Sequence, residues 1–217
     1  ISMSGFAELL HTAGFTISGS DAKSSKITKH LESLGITILY GQKASNITDN
    51  IDLVVYTAAI SSNNPELQEA AAKNIPMMDR ATMVGQVMSN YKNPIAVSGT
   101  HGKTTTTSML SHIFLKDNLD PTISVGGILK AIDGNLRIGK SENFLTEACE
   151  YTDSFLKFCP KVSIILNVEE DHMDYFKDLA QIRRSFRSFA ELLPEDGLLV
   201  INGEIEDHDY FTDKLPC

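Results

Sequence analysis

Ile95-Ala96-Val97-Ser98-Gly99-Thr100-His101-Gly102-Lys103-Thr104-Thr105 is the stretch on which the fold turns. A short, buried-looking apolar run enters a loop with two glycines, and a helical pattern over residues 104–115 follows it. A strand–loop–helix junction gathers backbone N–H groups and the positive end of a helix at one point, and glycines let them approach an anion closely. Lys103 can reach the β- and γ-phosphates of a nucleotide, and the Thr104 hydroxyl can ligate Mg²⁺. Gly99, Thr100, His101, Gly102, Lys103, Thr104 and Thr105 therefore form a candidate phosphate loop. Its spacing departs from the strict G-x-x-x-x-G-K-[ST] pattern, which has a glycine where Val97 stands.

Working outward, short β-branched runs alternate with helical patterns in both directions. Downstream, strands are expected at 143–146, 162–167 and 198–201, and a helix at 179–192. Upstream, strands are expected at 15–18, 36–40 and 53–57, with helices at 26–34 and 65–73. Asn64 is placed to cap the second of these, ahead of Pro65 at the favoured first position. Alternation of this kind implies parallel strands joined by crossover helices, an α/β fold. The polar, turn-prone Ser89-Asn90-Tyr91-Lys92-Asn93-Pro94 marks a break. The expected organisation is a Rossmann-like domain over 1–92 and a P-loop-type domain with a mainly parallel sheet over 93–217.

Composition narrows the field. With 217 residues, 42% of them hydrophobic and 22% charged, the chain can bury one large core or two modest ones. A formal charge of −9 argues against a nucleic-acid partner, which needs a lysine and arginine excess. No apolar run approaches the roughly 20 residues that span a bilayer, and no signal peptide opens the chain. Cys149, Cys159 and Cys217 lack metal-site spacing and fit reduced thiols. A cytoplasmic location without a membrane partner is the expectation. Both ends have a truncated look, with Ile1 at the start and Leu215-Pro216-Cys217 at the end.

Further residues invite a chemical role, each beside a plainer one. Glu147 ends the strand expected from 143, and His172 follows the one expected from 162, so both reach the sheet edge where open α/β folds bind ligands. With Thr104 they would make a Mg²⁺ environment, although Mg²⁺ prefers oxygen to imidazole. On chemistry alone Glu147 also fits a solvated loop carboxylate, and His172 a capping or surface histidine. Asp171 and Asp174 either orient His172 or face solvent. Asp21 fits a ribose contact or a turn former, and Arg80 a partner for anionic substrate groups or a surface cation.

Gly99-Thr100-His101-Gly102-Lys103-Thr104-Thr105-Thr106 resembles the ATP loop of the Mur ligases. So do Ser18-Gly19-Ser20-Asp21, Asn64-Pro65-Glu66, Ile75-Pro76 leading to Arg80-Ala81, and Glu147-Ala148 leading to Glu150. The order and spacing match along nearly the whole chain. Asn167-Val168-Glu169-Glu170-Asp171-His172-Met173-Asp174 resembles the alanine-adding branch more than the recycling branch that attaches a ready-made tripeptide. The resemblance implies ATP and Mg²⁺ as cofactors, and UDP-N-acetylmuramate and L-alanine as substrates. It implies Lys103, Glu147 and His172 in catalysis, Asn167 beside the nucleotide, and Thr104, Glu147 and His172 on metal. Ser4, Asp21, Arg80 and His101 would meet the UDP-sugar substrate. It further implies a missing strand and glycine-rich turn ahead of Ser2-Met3-Ser4-Gly5, an absent C-terminal domain, and a fragment that is silent by itself. Two departures stand out. Val125 precedes Gly126-Gly127 where the family has asparagine, and the 179–192 helix has Arg183, Arg184 and Arg187 but no lysine to carbamylate. A plain P-loop ATPase and a non-catalytic binding module are the rival readings.

Overall fold

The computed structural model describes residues 3–57 and 59–217; Ser2, quoted above, lies outside them. The chain forms two compact units, 1–83 and 84–217. In the first, α1 (Ser4–Thr12) is followed by β1 (Ser18–Asp21), α2 (Lys26–Ser33), β2 (Thr37–Tyr40), β3 (Val54–Tyr56), α3 (Pro65–Ala72) and β4 (Met77–Asp79). β1 pairs with β2 and β3 with β4, both in parallel, and each pair is bridged by a helix. Cap chemistry fixes where those helices begin. The Ser25 hydroxyl and Thr28 form a reciprocal capping box on α2, and the Asn64 side chain accepts from the Glu66 N–H at 2.8 Å ahead of Pro65. Such a cap contributes about 1 kcal/mol.

The first strand is not where apolar alternation put it. β1 comprises Ser18-Gly19-Ser20-Asp21, while Phe15 precedes it and is exposed. Its place is set by backbone pairing from Ser18↔Thr37 to Asp21↔Tyr40, which these small polar residues allow. Ser4 begins α1.

α4 (Arg80–Met88) crosses the division between the units at Met83/Val84. Its Gly85 carbonyl accepts from the Cys159 thiol at 3.2 Å, so its later turns belong with the second unit. The polar stretch 89–94 follows the helix end. Beyond it come β5 (Asn93–Ser98), α5 (Lys103–Lys116), β6 (Thr122–Leu129), β7 (Gly134–Arg137), β8 (Asn143–Glu147), β9 (Val162–Ile165), α6 (Leu179–Ala190), β10 (Leu198–Ile201) and the short α7 (Asp209–Thr212).

Six of these strands form one sheet in the order β10-β9-β5-β8-β6-β7, parallel throughout except for the β6–β7 hairpin. β5 is buried from Pro94 to Ser98, as a central strand covered on both faces should be. Ile95, Val97 and Leu145 pack with Leu110 and Phe114 of α5, which seats that helix on the sheet. α6 turns Ile182, Phe186 and Phe189 inward at helical spacing. Phe155 stacks on Phe189 at 4.6 Å and meets Phe186 edge-on at 5.4 Å, anchoring the 3₁₀ segment Tyr151–Lys157 to α6. Among the described residues no helix is long and apolar enough to cross a membrane.

Candidate active site

β5 ends at Ser98, and its exit loop turns on two glycines. Gly99 has φ +148° and Gly102 φ +83°, and a Cβ at Gly99 would lie 3.0 Å from the Leu166 Cβ. The loop thus passes flat against the chain leaving β9 before α5 starts at Lys103. Side chains from that neighbouring segment fix it. Asn167 Oδ1 accepts from the His101 N–H at 2.9 Å, and Asn167 Nδ2 donates to the His101 carbonyl at 3.1 Å. The Glu169 N–H donates to the Thr100 hydroxyl at 2.8 Å, and the His101 ring lies 3.2 Å from the Glu169 carboxylate.

Two acidic stations face the loop, both from the exit of β8. At the first, the Thr104 hydroxyl donates to Glu147 Oε2 at 3.0 Å, and the Gly126 N–H donates to Glu147 Oε1 at 2.6 Å. A Cβ at residue 126 would fall 2.7 Å from Glu147 Oε2, so the glycine of β6 leaves room for the carboxylate. At the second, the Lys103 ammonium donates to Glu150 Oε2 at 2.9 Å and Oε1 at 3.2 Å, to the Thr100 carbonyl at 3.1 Å, and to the Gly99 carbonyl. The Glu150 side chain is only 2% exposed and that of Lys103 15%, which makes this a buried ion pair.

His172 approaches Glu150 from the β9 side, Nε2 to Oε1 at 3.8 Å. It has φ +51°, and Asp171 accepts from its backbone N–H at 2.7 Å. Its ring lies 4.6 Å from that of Tyr151, whose hydroxyl donates to Asp174 at 2.8 Å. That hydrogen bond, with the Asp174 charge behind it, pushes the Tyr151 phenol up from its usual value. Asp171 also brings a carboxylate oxygen to 3.9 Å from the His172 Nε2, whereas Asp174 is exposed and accepts from the Tyr151 hydroxyl. The Cys149 thiol, between the two glutamates in sequence, is pushed up mainly by desolvation, against a backbone hydrogen bond from Tyr151. A protonated thiol of this kind is a poor nucleophile.

Lys103, Thr104, Glu147 and His172 are thus gathered at one sheet edge. Glu150 is the residue to which sequence reasoning gave no role. The available signal was a second carboxylate three positions after Glu147, on the same strand exit. Ligand atoms of Glu150, Asp171 and His172 lie within 4.8 Å of one another. The Thr104 hydroxyl and the Glu147 carboxylate form a separate oxygen pair; both groups are oxygen-rich, as suits Mg²⁺, and the imidazole is the softer donor. The candidates of the first unit are arranged differently. Asp21 closes β1 and accepts from the Lys23 N–H at 3.2 Å, the geometry of a turn former. The Arg80 guanidinium lies 5.2 Å above the ring of buried Phe6.

Comparison with known proteins bears on these observations. Residues 1–92 match the profile described as Mur ligase family, catalytic domain, and residues 97–216 that of the Mur ligase middle domain. The chain belongs to the Mur ligase family. Within that family it is 62% identical over all 217 residues to the UDP-N-acetylmuramate–L-alanine ligase of Lachnoclostridium phytofermentans, of which it covers 46%. It is 59% identical to the enzyme of that name from Clostridium botulinum (strain Kyoto / Type A2), covering 47%. This Mur ligase chain therefore spans about half the length of the curated relatives it matches. The crystal structure of a UDP-N-acetylmuramate–alanine ligase from Thermotoga maritima superposes with a TM-score of 0.83 at 31% identity. That match covers 94% of this chain and 47% of the other.

Proposed function

We propose that this chain is the substrate- and ATP-binding part of a ligase that joins L-alanine to the lactyl carboxylate of UDP-N-acetylmuramate. The observation that carries the reading is the convergence of Lys103, Thr104 and Glu147 where β5 passes into α5, in a chain so similar to ligases of that name. In this reading the carboxylate oxygen attacks the γ-phosphorus of ATP in line and ADP departs, leaving an acyl phosphate. The amine of L-alanine then attacks the acyl carbon, phosphate leaves, and an amide results.

No protein nucleophile is needed. Lys103 neutralises charge spreading over the transferred phosphoryl oxygens, and the N–H groups opening α5 hold the phosphates. Asn167 and Glu169 keep the loop in shape for that task. Thr104 and Glu147 on one side, and Glu150, Asp171 and His172 on the other, would hold Mg²⁺. When bound, it supplies charge neutralisation at the phosphates. Ser4, Asp21 and Arg80, within a domain over 1–92, are assigned to the UDP-sugar substrate, together with His101 of the phosphate loop.

The test is to incubate the full-length protein with ATP, Mg²⁺, UDP-N-acetylmuramate and either L-alanine or the tripeptide, and to follow amide and ADP together. Amide formed in step with ADP, and faster with alanine, supports the reading. Faster reaction with the tripeptide moves the protein to the recycling branch, and ADP release without an acceptor makes it an ATPase.

A further inference from the structure

The Lys103 ammonium has three protons to donate, and protein acceptors already take them: the Gly99 carbonyl, the Thr100 carbonyl and the Glu150 carboxylate. A phosphate oxygen can bond this lysine only by displacing one of them. The two carbonyls belong to the phosphate loop itself and carry no net charge. Glu150 is different. Its carboxylate is buried, it holds Lys103 through both oxygens, and it is anionic like the ligand.

The loop beyond it is also held. Thr152 and Asp153 both have left-handed backbone, and Asp153 accepts from the Tyr175 hydroxyl at 2.7 Å and from the Ser185 hydroxyl of α6. Phe155 is locked in the aromatic cluster. Glu150 therefore cannot readily follow the lysine outward.

We propose that Glu150 is a positioning residue that latches Lys103, so that a nucleotide phosphate gains the lysine by exchange with this carboxylate. The proposal rests on the nucleotide reading above and adds a competitor built into the site. The apparent affinity for phosphate is then reduced by the fraction of molecules in which Lys103 is free. A latch closed nine times in ten weakens binding about tenfold.

The experiment measures ADP binding to the full-length protein by calorimetry, with a chelator present so that divalent cations play no part. Glu150→Gln, which keeps the shape and removes the charge, should tighten ADP binding about tenfold. A general fall in negative field would also tighten it, so the same substitution is made in a Lys103→Met background, where a latch has nothing to hold. There Glu150→Gln should change ADP affinity less than about twofold. Equal tightening in both backgrounds overturns the latch and leaves only the field, and so does no tightening in the first. If Glu150→Gln does not fold, Glu150→Asp replaces it in both backgrounds. The shorter carboxylate keeps the charge and loosens its hold, so tightening that depends on Lys103 again supports the latch and its absence refutes it. Failure of the unsubstituted protein to bind ADP or ATP under any condition would instead remove the nucleotide reading.

Discussion

Lys103 binds its own loop and a buried glutamate at once, so its ammonium is bonded directly to this acidic edge. Phosphoryl transfer is catalysed mainly by positioning and charge stabilisation, so its loss should be felt in the chemical step. In the full-length protein, Lys103→Ala is expected to lower ATP-dependent amide formation by about 10²-fold or more. Steady-state release of ADP and amide checks this, and near-normal turnover would contradict the assignment. Lys103, Thr104, Glu147 and His172 were legible because each is tied to a strand end or a glycine loop. Glu150 was not. It lies past the strand end, just before Thr152 and Asp153 turn the chain with positive φ, and no periodicity announces left-handed residues that are not glycine. Likewise the clasp of Thr100 by Glu169 joins positions far apart in sequence.

At the scale of elements, chemistry at helix ends was readable and sheet membership less so. Asn64-Pro65 starts α3 by the side-chain cap expected from sequence, and Asp178, which was not singled out, starts α6 in the same way. β6 carries Gly126-Gly127, a weak local signal for a strand, and its partner β7 is a short, mixed-polarity run from Gly134 to Arg137; neither was expected from the sequence. The pairing partner, not local preference, makes them strands. α4 offers a test of packing against propensity. Replacing an interior helical glycine by alanine gains up to about 1 kcal/mol from propensity alone. At Gly85, however, a Cβ would lie 2.0 Å from the Lys157 carbonyl oxygen, a backbone atom that cannot swing away. Gly85→Ala is therefore expected to be destabilising by about 1–3 kcal/mol, in spite of propensity. Urea unfolding measures the difference, and a more stable variant would show that the 157–158 backbone yields.

The two units of the molecule should answer ligands separately. The phosphate loop, both glutamates and His172 all belong to the unit 84–217. Binding that favours a folded region slows its local opening and protects its amides. ADP with Mg²⁺ is thus expected to slow hydrogen exchange over 99–105 and 147–172, and to leave 18–79 unchanged. Exchange followed by mass spectrometry checks this, and slowing confined to 18–79 would put the nucleotide in the wrong unit.

The sheet order carries a consequence of its own. Val97 of β5 is in register with Glu147 of β8 on one side and with Ile164 of β9 on the other. These three residues form a row across the strands, and neighbouring strands stand about 4.8 Å apart. The backbone hydrogen bonds of the sheet therefore act as a ruler, setting roughly 10 Å between the strand that delivers the glutamates and the strand that delivers the histidine. Loop length does not enter that spacing. A lengthened or shortened turn across 130–133, between β6 and β7, changes what hangs over the sheet edge, while the span of the acidic edge stays as the ladder measured it.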